Sequence, residues 1–150
     1  MNATPEEGNA ADSYAEEVRA HGGDLEAVFD ALERAYGDYI DAGGSPDEVI
    51  PGPAEVALGF RLRRPDGRSI WRAYADVIRQ ELCNPDGELH GKVGSGLQTS
   101  GATLVTLLIA TLGLPLVAAP IVAPIAGSIL GLGVDAFCRY TAPATPESGG

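Results

Sequence analysis

TLVTLLIATLGLPLVAAPIVAPIAGSILGLGV, Thr103 to Val134, is the densest part of a stretch that runs from Val93 to Val134 without one charged side chain. Lys92 stands directly before it and Asp135 directly after it. Apolar surface on this scale must leave water, either into lipid or into protein. A run of eighteen or more uncharged apolar residues is the usual mark of a transmembrane helix, but here prolines and glycines divide it. Gly113-Leu114-Pro115 ends a first arm near residue 112. Thr103 to Leu112 alone would measure about 15 Å, and extension back to Leu97 brings it to about 24 Å. A second arm over 116–138 would span if continuous, although Pro120 and Pro124 lie inside it. The expectation is an apolar helical hairpin over 102–139.

Both arms carry stripes of small side chains. Ala123, Gly127 and Gly131 recur every four residues on the second; Thr103, Thr106 and Ala110 make a weakly polar stripe on the first. Such stripes let backbones approach closely. The expected arrangement packs the two small faces together and turns Leu104, Leu108, Ile109 and Leu112 outward. Upstream, HGKVGSGLQTSG places glycines at Gly91, Gly94, Gly96 and Gly101. Their backbone freedom marks 85–101 as a hinge.

Charge divides the 150-residue chain in two. The formal net charge is −11, and the excess lies wholly in residues 1–91, since over 92–150 Asp135 and Glu147 balance Lys92 and Arg139. An acidic head lacks the basic face that nucleic-acid binding requires. It also disfavours electrostatic attachment to anionic lipid, so any membrane engagement would be hydrophobic.

The head, 12–84, reads as helical, after a disordered 1–11 and before a closing disordered segment, 140–150. Leu25, Val28, Phe29, Leu32, Tyr36, Tyr39 and Ile40 follow the three-four repeat of one buried helix face over 25–42. Ile70, Trp71, Tyr74, Val77, Ile78 and Leu82 do the same over 69–83. Between them, Val56, Leu58, Phe60 and Leu62 alternate with smaller or polar residues, the period of a short strand over 56–62, while Pro53-Ala54-Glu55 equally suits a helix opening. The fold class expected is mainly α.

Chemistry is sparse. Gly91-Lys92-Val93-Gly94-Ser95-Gly96 has the residues of a phosphate loop in the wrong order, and no GxSxG elbow occurs. His21, His90, Cys83 and Cys138 lack the paired spacing of a zinc site. The cysteines read as reduced thiols, because MNATPEEGNAADS has neither the basic nor the apolar region of a secretory signal. No cofactor, metal or catalytic residue is expected. One cluster stands out within the acidic head: Arg61, Arg63, Arg64, Arg68 and Arg72. Guanidinium groups suit carboxylate or phosphate contacts, so this is a candidate docking point, unless it serves to neutralise the acidic helix beside it.

These features point to a small non-catalytic protein at the cytoplasmic side of a membrane. Its hairpin would anchor in a bilayer, or insert conditionally as a membrane-disrupting effector. The alternative is a soluble helical interaction module that buries the hairpin in a homo-oligomer or against a protein partner.

Overall fold

The computed structural model describes residues 5–87, 89–90 and 100–141. Eight α-helices make up the described fold: α1 (Pro5–Ala20), α2 (Glu26–Asp41), α3 (Pro46–Val49), α4 (Ala54–Leu62), α5 (Gly67–Leu82), α6 (Gly101–Leu112), α7 (Ala119–Leu132) and α8 (Val134–Thr141). A single 3₁₀ turn, Leu116–Ala118, leads into α7. The mainly α class follows directly.

α7 is the axis of the bundle. Every residue from 121 to 129 is buried, so no face of that stretch of the helix meets water. It packs most extensively on α1, then on α2, α6 and α8. Acidic head and apolar tail thus share one continuous core, in which Val18, Leu32, Trp71 and Ile78 lie in the same cluster as Leu108, Ile125 and Phe137.

Several expectations need correction. Residues 5–11, read as disordered, begin α1, with Gly8, Ala11, Ala15 and Val18 turned inward. Residues 1–4 and 142–150 lie outside the described residues. The 54–62 segment is helix rather than strand. Its alternation arises because Val56, Ala57 and Phe60 share the inner side while Leu58 and Leu62 point outward. A lone strand would also leave its backbone groups unpaired, and none of the described segments is a strand that could pair with it.

The second arm is not one helix. Gly133, at φ 87° and ψ 153°, ends α7, and the chain turns by 108° into α8. No single described helix is long and apolar enough to cross a membrane. The two cysteines are not free thiols: Cys83, just after α5, and Cys138, in α8, form a disulfide. That bond holds α8 over α5, where Trp71 meets Phe137 and Tyr140 edge to face at 5.9 and 5.4 Å between centroids. Trp71 also donates its indole N–H to Ser128 Oγ at 3.0 Å, and Ser128 donates to the Ile125 carbonyl at 2.6 Å. The two buried polar groups on the α5–α7 seam are therefore satisfied.

Helix ends are fixed locally. Asp66 Oδ1 accepts the Ser69 N–H at 2.8 Å and caps α5; Ser100 Oγ accepts the Thr103 N–H at 3.2 Å and caps α6. Asp12 of α1 reaches the Gly101 N–H at 2.9 Å, tying the start of α6 to the first helix.

Candidate binding surface around α4

The small stripe on α7 serves packing. A Cβ on Gly127 would lie 2.5 Å from Tyr14 Cβ and 2.9 Å from the Ala11 carbonyl oxygen; one on Gly131 would lie 2.6 Å from Val18 Cβ and 2.9 Å from the Ala15 carbonyl oxygen. Both glycines therefore meet α1, not the first apolar arm. Ala123 is buried a turn further back. On α6 the expected orientation is reversed. Thr103 and Ala110 are exposed and Thr106 is half-buried, while Leu104, Val105 and Leu108 point inward. The reason is that the small face of α7 is already taken by the small face of α1. α6 then gains more by burying its leucines than its threonines.

Among the expected hinge glycines, Gly91, Gly94 and Gly96 lie outside the described residues. Gly101 is a close-packing position: a Cβ there would meet the Gly8 carbonyl oxygen at 2.5 Å.

The arginine cluster spreads over α4 and the start of α5. Arg61 pairs with Asp47 at the surface, and Arg64 lies 3.8 Å from Asp41 of α2. Arg68 sits over the Phe29 ring at 5.0 Å, and Arg72 pairs with Asp76 at 3.7 Å. The Arg63 side chain is exposed and makes no ion pair, hydrogen bond or ring contact among the described residues. Much of the cluster thus neutralises nearby aspartates, through exposed pairs worth little individually.

Two features there escaped the sequence reading. The first is the outer face of α4. Leu58 is 53% exposed and Leu62 80%, one turn apart, with Glu55 and the open Gly59 on the same face. The second is a pair of clefts on either side of Phe60. One, about 550 Å³, is bounded by Val56, Gly59, Arg63 and Pro65. The other, about 280 Å³, lies between α2, α3 and α4 and is lined by Tyr36, Ile40, Pro46, Phe60, Arg61 and Arg64. Tyr36 is only 2% exposed, and its buried hydroxyl has no hydrogen-bond partner.

Three ionisable groups here are shifted. Burial raises the Tyr36 phenol, and the Arg64 charge opposes that rise. Burial also raises Tyr39, helped by its hydrogen bond to Glu48. The backbone and side-chain hydrogen bonds of Ser69 lower the Asp66 carboxyl. Among the described residues no group of three or more His, Cys, Asp and Glu side chains could hold a metal ion. The chain matches no protein family, no curated protein and no solved structure.

Proposed function

We propose that this protein is a non-catalytic helical interaction module that self-associates through the outer face of α4. The observation that carries the reading is the exposed Leu58–Leu62 pair, in a chain that otherwise covers its apolar helix α7 unaided. Glu55, Leu58, Gly59 and Leu62 lie at three- and four-residue intervals, so two α4 helices can pack antiparallel about a two-fold axis. Leu58 then sits over Gly59 of the partner subunit, whose missing side chain permits close approach. Leu62 and Arg63 at one helix end meet Glu55 of the partner subunit at the other. The nine-residue helix offers a small contact, so the dimer should be weak and concentration-dependent. Sedimentation equilibrium of the full chain tests this. The wild type should move from monomer to dimer through the micromolar range, and Leu62→Lys should remain monomeric. A wild type that stays monomeric at millimolar concentration, or a Leu62→Lys variant that dimerises equally well, refutes it.

A second reading keeps the bilayer. It is favoured by one observation: Leu116–Leu132 and Val134–Thr141 together have the length and apolarity of a span, interrupted only by the bend at Gly133. In that reading the other helices sheath α7 until it is released. Flotation with neutral phosphatidylcholine vesicles discriminates: protein that stays at the bottom of the gradient, oxidised and reduced alike, excludes insertion. The expectation of a cytoplasmic location loses its cysteine argument, because a disulfide is at home in oxidising surroundings.

A further inference from the structure

We infer that the cleft between α2, α3 and α4 binds a small monocarboxylate with an apolar body, held by the Tyr36 hydroxyl and the Arg61 and Arg64 guanidinium groups. The inference is independent of self-association. It begins from Tyr36, whose hydroxyl is buried without a partner, an arrangement that costs free energy unless a ligand completes it. The hydroxyl belongs to a residue that lines a cleft, and the cleft is amphipathic. Ile40, Pro46 and Phe60 give it apolar walls, with Phe60 edge to face on Tyr36 at 6.2 Å between centroids.

The polar part is cationic. Arg64 lies across α2, its Nη2 only 2.5 Å from where a Cβ on Gly37 would be, so glycine at 37 is what lets the guanidinium lie against that helix. Its charge is felt at the Tyr36 phenol. Arg64 is otherwise held by the long contact to Asp41, and Arg61 by the exposed Asp47 and a 3.4 Å hydrogen bond to Ser45 Oγ. Such exposed pairs are weak and can be exchanged for a ligand carboxylate that also receives the phenol's hydrogen. The chemistry selects an anion, because Tyr36, Arg61 and Arg64 all line the cleft, and an apolar one, because its remaining lining is Ile40, Pro46 and Phe60. At about 280 Å³ the cleft suits a single ring with a short acid arm rather than a nucleotide or a lipid.

Titration of the full chain with phenylacetate, followed by ¹H–¹⁵N correlation spectra, tests the inference. Saturable shifts should centre on α2, α3 and α4, with millimolar affinity. Phenylacetamide, uncharged and nearly isosteric, should bind about tenfold more weakly, because it forfeits the charge-assisted bonds. Tyr36→Phe and Arg64→Gln should each weaken phenylacetate about tenfold, and Arg72→Gln should not. Tyr36→Phe removes a hydroxyl that bonds to nothing, so its fold should be intact, and it decides the matter if Arg64→Gln is poorly folded. Repeating the titration in Leu62→Lys keeps the result separate from self-association. No localised saturable shift, equal binding of the amide, or undiminished binding by Tyr36→Phe overturns the inference.

Discussion

Replacing one hydrogen by a methyl group should destabilise this protein at Gly127 and stabilise it at Gly59. At Gly127 the new Cβ would stand 2.5 Å from Tyr14 Cβ and 2.9 Å from the Ala11 carbonyl oxygen. An ordinary contact needs 3.4 Å or more, so α1 must withdraw by most of an ångström. The obstacle is partly backbone and cannot rotate aside. Overpacking costs about 1–3 kcal/mol, and two contacts under 3.0 Å, one of them to backbone, put Gly127 in the upper part of that range, about 2–3 kcal/mol. Alanine returns about 1 kcal/mol through better helix propensity, leaving a net loss of about 1–2 kcal/mol. At Gly59, in the exposed face of α4, nothing lies within 4 Å of the added methyl. Only the propensity remains there, a gain of about 0.5–1 kcal/mol.

Urea unfolding at concentrations below self-association measures both. Far-ultraviolet circular dichroism reports on the helices, and fluorescence of Trp71, the single tryptophan, reports on the seam between α5, α7 and α8. The two probes should coincide if head and tail share one core. A neutral or stabilising Gly127→Ala would refute the placement of α1 on α7. A destabilising Gly59→Ala would refute the helical, outward-facing assignment of α4.

Two further predictions concern the ends of α5. Cys83 and Cys138 are 55 residues apart in sequence, and closing a loop of that length restricts the unfolded chain by about 4 kcal/mol as an upper figure. Cys83→Ser with Cys138→Ser, or reduction of the wild type, should lower the urea midpoint accordingly; an unchanged midpoint means the bond does not constrain the chain. At the other end, Asp66→Ala removes the cap on α5 and should cost about 1 kcal/mol. The folded carboxyl titrates below its ordinary value of 3.8, so its contribution is complete above that pH and fades as pH falls through the folded value. The difference between wild type and variant should therefore narrow as the pH falls below 3.8, and a difference that does not narrow in acid argues against the cap.

How much of this could be read in the residues depended on how loudly each contact speaks in hydrophobicity. The amphipathic helices at 25–42 and 69–83 were legible, because large side chains such as Phe29, Leu32, Trp71 and Tyr74 mark one face by spacing alone. The need to bury 121–129 was equally plain. What buries it was not. The cover from α1 comes from Ala11, Tyr14, Ala15 and Val18, of which Ala11 fell in the segment read as a disordered tail and the others in a short helix with little apolar surface. Close backbone packing is carried by what is missing from a side chain, and a hydropathy pattern does not register that. The 56–62 segment was ambiguous between strand and helix for another reason: Val56, Leu58, Phe60 and Leu62 satisfy a period of two, yet two of the four face water. The cysteine pairing had no local signal at a separation of 55. The cleft was half visible, since the arginines stood out, but Tyr36 reads as one more core position until its hydroxyl is found without a partner.

The contact between α1 and α7 joins nearly the first residues of the chain to nearly the last. Arg19 donates to the Leu130 carbonyl across 111 positions of sequence. During synthesis at about 5–20 residues per second, α1 therefore exists for roughly 6–22 s before the surface it covers has been made. Its inward face through those seconds is mostly small, Gly8, Ala11 and Ala15 beside Val18, so it offers other chains little apolar surface. A leucine-lined first helix would pack more strongly at the end, but would spend the wait exposed to every other nascent chain.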